Sequence, residues 1–217
     1  MTTHADPSRL SCRPGNFDRL NLFYTPECGP DGTPLLKSYK GEIPERLVPF
    51  RYKSTQPKDC IHFFLDDYRF ECVWNRARQY MEKFKPYTIL SPDFSMFCNW
   101  NPYIQKWNFY RSMWLGAYWQ SYGLNVIPTI LWSCKKSYSF CFNGLPSDSV
   151  VAISSVGILG KDEKELFSEG INELVQRVHP STILCAGGFT NKYIGKRIDS
   201  EIVEYLYEFK SHCYVHR

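Results

Sequence analysis

Five stretches decide the fold class: His62-Phe63-Phe64-Leu65-Asp66-Asp67, Tyr87-Thr88-Ile89-Leu90-Ser91-Pro92-Asp93, Asn125-Val126-Ile127-Pro128-Thr129-Ile130-Leu131-Trp132, Ser149-Val150-Val151-Ala152-Ile153-Ser154-Ser155 and Ser181-Thr182-Ile183-Leu184-Cys185-Ala186. Their apolar residues run on continuously instead of alternating, which is how strands covered on both faces read. The stretches between them have helical spacing. Val73, Ala77, Tyr80, Met81 and Phe84 recur on one face before Pro86, and Pro102 to Tyr122 carries Ile104, Trp107, Tyr110, Trp114 and Tyr118 before Gly123. A third helix is expected from Asp162, with Glu165 completing a capping box, to His179-Pro180, and a last one from Asp199 to about Lys210 through Ile202, Leu206 and Phe209. Lys135 to Asp148 is too short for more than a helical turn. The expected fold is therefore α/β, a mainly parallel five-stranded sheet of βα units, either an open sheet or a partial TIM-like barrel.

Working outward, residues 1–58 hold eight of the 14 prolines and no sustained period, so an irregular arm is expected there, with the α/β domain at 59–217. The 217 residues suit one compact domain. Hydrophobic residues at 43% and charged residues at 22% exclude disordered and fibrous classes. A net charge of +4, from 26 Lys and Arg against 22 Asp and Glu, permits nucleic acid as a partner but does not indicate it. Aromatics reach 17%, enough to line a groove or interface as well as a core. Nine cysteines include no Cys-x-x-Cys, which argues against structural zinc, a redox dithiol or a disulfide framework. With no basic stretch and apolar core after Met1, the expected location is the cytoplasm of a bacterial or phage-infected cell, with no membrane partner.

The segments His62-Phe63-Phe64-Leu65-Asp66-Asp67-Tyr68-Arg69-Phe70-Glu71, Leu90-Ser91-Pro92-Asp93-Phe94-Ser95, Trp107-Asn108-Phe109-Tyr110-Arg111-Ser112, Leu115-Gly116-Ala117-Tyr118-Trp119-Gln120, Val126-Ile127-Pro128-Thr129 and Ser154-Ser155-Val156-Gly157 are similar to a bacterial and phage family known as domain of unknown function 4417. The resemblance runs from about residue 60 to 188. It implies a phage, prophage or other mobile-element setting and no particular activity.

Ligands of parallel sheets and barrels bind beyond the carboxyl ends of the strands. Those ends supply Asp66, Asp67 and Arg69, then Ser91, Asp93 and Ser95, then Trp132 and Ser133, then Ser154, Ser155 and Gly157, and finally Gly187 and Gly188. Alternation turns Asp66 and Asp67 to opposite faces. Asp67 with Asp93 could do general acid/base work or hold Mg²⁺; the alternative is that both cap helices or hold loops. Asn108 and Arg111 share a helix face. Arg111 either donates a fork to a ligand carboxylate or phosphate, or pairs with Asp93 or Asp67 as a buried bridge. Catalytic roles are assigned to Asp67, Asp93 and Arg111, and ligand-binding roles to Asp66, Arg69, Ser91, Ser95, Asn108, Trp132, Ser154, Ser155 and Gly157. His62 reads as a core residue. Gly188 to Gly195-Lys196-Arg197 lacks the spacing and the Ser or Thr of a phosphate loop.

Two functions follow. The first is a small α/β enzyme or binding protein for a polar or phosphorylated small molecule at the carboxyl edge of its sheet. The second is a non-catalytic protein binding a host protein or single-stranded nucleic acid through exposed rings.

Overall fold

The structure, a computed structural model, describes residues 24, 26–53, 55–56, 58–187, 200–208 and 211–216. Eight strands form one sheet: β1 (Arg46–Pro49), β2 (Cys60–His62), β3 (Thr88–Leu90), β4 (Asn125–Ile127), β5 (Val150–Ser154), β6 (Thr182–Ala186), β7 (Glu201–Glu208) and β8 (Cys213–His216). Among the described residues four α-helices accompany them: α1 (Glu71–Asn75), α2 (Ala77–Phe84), α3 (Pro102–Ser121) and α4 (Lys161–Val178). The strands lie in the order β4-β3-β2-β1-β8-β7-β6-β5. That is chain order around a ring, and the ring nearly closes where Thr129, just past β4, bridges in parallel to Ala152 of β5. Ile130 N–H donates to Ala152 O and Ala152 N–H to Pro128 O, each at 2.8 Å.

The five expected runs are strands β2 to β6, and every pairing among them is parallel. The expectation of five strands in a mainly parallel sheet is corrected in two ways. β1 lies inside the segment expected to be an irregular arm and pairs in parallel with β2. β8 is antiparallel to both β1 and β7, so the orientation is mixed. The helix expected from Asp199 to Lys210 is β7 over its described residues. Val203 and Tyr205 are buried and alternate with less buried Ile202, Glu204 and Leu206, and pairing with β6 and β8 overrides the weak helical spacing. Gly188 and the Gly195-Lys196-Arg197 segment lie outside the described residues.

Strand pleating divides the core into three clusters. Leu47, Cys60, Leu90, Ile127, Val150, Leu184, Val203 and Tyr214 point inward, one or more from every strand, and fill the barrel. The next residues along, Val48, Ile61, Ile89 and Val126, pack outward against α1, α2 and α3, and Val151, Ile153 and Ile183 pack against α3 and α4. This in-and-out burial is why the runs read as continuously apolar. The helix expected through Val73 and Phe84 breaks at Arg76, whose φ of −136° and ψ of 40° separate α1 from α2. Helix α3 is buried on most of its circumference because both outer clusters and residues 36–37 surround it. Gln120 exchanges hydrogen bonds with Lys37 there, its Oε1 accepting from Lys37 N at 2.8 Å and its Nε2 donating to Lys37 O at 2.9 Å. Helix α4 starts at Lys161, and the carboxylate that caps it is Glu163 in place of the expected Asp162/Glu165 box. Glu163 Oε2 accepts from Leu159 N and Gly160 N at 2.8 Å each.

Candidate functional site

The carboxyl ends of β2 to β5 open into a cleft of about 880 Å³. Its wall has three parts. The first is the turn after β2 with Asp66 and Arg69, and the second is residues 93–99 after β3. The third combines Trp132 after β4 with Ser154, Val156 and Gly157 after β5. Of the residues assigned from sequence, Asp66, Arg69, Asp93, Ser95, Trp132, Ser154 and Gly157 line this cleft. Asp67, Ser91, Asn108, Arg111 and Ser155 stand behind it.

Those five residues form the supporting wall. Asp67 accepts from Ser95 Oγ at 2.8 Å and from Ser95 N at 3.1 Å. Asn108 Nδ2 donates to Ser95 O at 2.6 Å, and Arg111 donates to Asn108 Oδ1 at 2.7 Å. The polar chain Arg111–Asn108–Ser95–Asp67 thus ties helix α3 to the cleft loop and to the turn after β2. Arg111 pairs with Glu71 of α1, not with Asp93 or Asp67, and its guanidinium lies 3.8 Å from the centre of the Phe94 ring. Ser91 Oγ accepts from Thr129 N at 2.8 Å and Ser155 Oγ donates to Ala186 O at 3.2 Å, so both staple neighbouring strands. The Arg111 side chain is 8% exposed but that of Glu71 is 40% exposed, so Arg111→Met is expected to destabilise the fold by about 2 kcal/mol, below the full effect of breaking a sealed pair. Chemical denaturation measures it, and an unchanged midpoint would deny the network a structural role.

Asp93 is the electrostatically unusual group. Burial first, and the charge of Asp67 second, push its carboxyl up to about 7. Glu163 moves the other way, held below the usual carboxylate range by the backbone N–H groups of Gly160 and Leu159. His62 lies one step into the barrel with its Nδ1 accepting from Phe64 N at 3.1 Å, and burial, then Arg69, lowers it to about 3. It is neutral at physiological pH, in keeping with a core residue. Asp67, one of the two carboxylates considered for Mg²⁺, accepts from Ser95, and among the described residues no group of three or more His, Cys, Asp or Glu side chains is placed to hold a metal ion.

Trp132 forms the opposite wall, stacked on Phe167 with ring centres 5.3 Å apart. It fits because Gly170 of α4 has no side chain: a Cβ there would sit 2.1 Å from Trp132 Nε1. Gly170→Ala is therefore expected to displace the indole and cost about 1–3 kcal/mol through overpacking. The Trp132 indole N–H resonance should move in the variant; an unmoved resonance with full stability would show that the contact is looser than described.

Sequence reasoning missed Glu71, Glu163 and the apolar contributions of Phe94 and Phe97. Glu71 follows directly on the turn carrying Asp66 to Arg69, and its place in the first turn of a short helix was the available signal.

Residues 27–206 match the family described as Domain of unknown function (DUF4417). The chain belongs to this family. Two of its relatives are bacteriophage proteins. The Gene 1 protein of Mycobacterium phage L5 is 41% identical over 189 residues, covering 82% of this chain and 80% of the relative. The Gene 1 protein of Mycobacterium phage D29 is 38% identical over 185 residues, covering 82% and 68%. No solved structure matches the chain. The family match takes in β1 to β6, every described helix and all the described residues that line the cleft. No described helix is long and apolar enough to cross a membrane.

Proposed function

We propose that this DUF4417 chain binds a small polar molecule in the cleft at the carboxyl end of its barrel, with Asp93 as the proton-bearing group. The observation that carries the reading is a carboxyl tuned to about 7 inside a cleft formed by the ends of four adjacent strands. A group with that affinity is charged and neutral in comparable amounts near neutral pH, so it can donate or accept a proton to a bound hydroxyl or amine. Among the described residues, Asp66, Asp93 and Glu163 line the cleft against one cation, Arg69. That balance favours an uncharged or cationic ligand over a phosphorylated one. Trp132 and Phe97 supply apolar surface for a flat or carbon-rich face. The setting we propose is the cytoplasm of a bacterial cell carrying a phage or related element.

One observation favours the second reading, a protein partner. Tyr68, Tyr103 and Leu159 are 81%, 80% and 82% exposed, more than large apolar side chains need to be.

The test is a panel of polyols, nucleosides, amines and their phosphorylated counterparts, scored by chemical-shift perturbation on the full chain. Uncharged or cationic compounds should move resonances of Asp66, Ser95, Trp132 and Gly157, and the response should be lost in Asp93→Asn. Perturbations by phosphorylated compounds alone, or perturbations mapping away from these residues, would overturn the proposal.

A further inference from the structure

Cys98 and Cys134 lie 36 positions apart in sequence, which is why their relationship is invisible there, and the barrel brings them together. Cys98 belongs to the cleft-lining segment after β3, and Cys134 follows Ser133, which lines the same cleft after β4. The Cys98 thiol donates to Ser133 O at 3.2 Å, and the Ser133 hydroxyl, 4.0 Å from Cys134 Sγ, contacts the second thiol. Ser133 itself is fixed by Gln105 Oε1 of α3, which accepts from its Oγ at 2.6 Å. Ser133 thus touches both thiols, one through its carbonyl and one through its hydroxyl, and this sets the two cysteines side by side on the cleft rim.

We propose that Cys98 and Cys134 form a redox-active dithiol on the rim of the cleft, which reacts with a small-molecule disulfide and closes into a bond joining two cleft-wall loops. Accessibility supports it: Cys98 is exposed and Cys134 half-buried, while Cys60, Cys141, Cys185 and Cys213 are buried. The two thiols also differ. Burial raises Cys134, but the backbone N–H of Lys136, the Ser133 hydroxyl and the Cys98 thiol outweigh it, and the group ends below its ordinary value. Cys98 is raised, by burial first and by Cys134 second. Cys134 is thus the attacking sulfur and Cys98 the resolving one.

The chemistry balances with the disulfide as oxidant. The Cys134 thiolate attacks one sulfur of RS–SR, an S–S bond to Cys134 forms as the RS–SR bond breaks, and the departing RS⁻ takes up a proton. Cys98 then loses its proton to solvent and attacks Cys134 Sγ, expelling the second RS⁻. Two protein thiols lose two electrons and one small disulfide becomes two thiols. The reaction is independent of what the cleft binds.

The experiment treats the reduced full chain with oxidised glutathione and maps products by non-reducing peptide mass spectrometry over time. The expected product is a peptide pair linked through Cys98 and Cys134, formed about tenfold faster than any adduct at Cys28 or Cys72, the other partly accessible cysteines among the described residues, and reversed by dithiothreitol. In Cys98→Ser the reaction should stop at one glutathione on Cys134. Adducts at Cys28 or Cys72 as fast as at Cys134, or no Cys98–Cys134 link in the folded wild-type chain, would overturn the proposal, and the wild-type partition alone decides it.

Discussion

At pH 8 the Asp93→Asn chain is expected to be more stable than the wild type by about 2–4 kcal/mol, with the difference vanishing at pH 4. The sign follows from the direction in which the carboxyl has moved. It sits at about 7 in the folded chain against an ordinary value of 3.8, so the folded state holds a proton that the unfolded state releases. Below the unfolded value both states are protonated and the wild type has its full stability. As pH rises from about 4 through 7, that stability drains away. Each tenfold difference in proton affinity between the two states corresponds to about 1.4 kcal/mol, and partial solvent access lowers the total. Asparagine resembles the protonated carboxyl in shape and cannot ionise, so its stability should be flat across the same window. Urea denaturation of both chains at intervals of pH checks this.

Trp119→Ala is expected to destabilise the chain by about 3–5 kcal/mol, a core-cavity effect independent of pH. Trp119 is fully buried, stacks on Phe63 with centres 6.3 Å apart, meets Phe84 edge-on at 5.2 Å, and donates from Nε1 to Ala77 O at 3.1 Å. Truncation removes the rings' common partner and the second donor to the Ala77 carbonyl. The residue thereby joins α3 to α2 and to the outer face of the sheet. A loss under about 1 kcal/mol in thermal or urea melts would mean that the helices collapse readily onto the vacated space.

The legible part of the fold was the part whose strands are buried on both faces. β2 to β6 announce themselves because Val151 and Ile153 face helices while Val150 and Ala152 face the barrel interior, leaving no polar position to break the run. β1 was hidden by its length of four residues and by Pro49 at its end. β8 is equally short, and β7 carries Glu201, Glu204 and Glu208, so its inward Val203 and Tyr205 do not form a continuous run. β8 depends besides on a ladder with β1, at the other end of the chain, which no local pattern encodes. The strand-end rule brought Asp93, Arg69 and Trp132 to one cleft, because loops at the carboxyl ends of parallel strands converge whatever the closure of the sheet. It could not say which carboxylate Arg111 would meet. Glu71 is the carboxylate that Arg111 meets, and that choice is made by how α1 packs on α3.

Whether the Asp93 carboxyl, held near neutrality at the carboxyl end of the barrel, is the proton-bearing group of the site is read most directly by a carbon-detected NMR titration of the aspartate side-chain carboxyls in the full chain. One aspartate is expected with a midpoint near 7, absent from Asp93→Asn and shifted downward in Asp67→Asn, where the neighbouring charge is gone. A wild-type titration in which Asp93 changes charge in the ordinary range near 4, with no response to Asp67→Asn, would contradict this assignment.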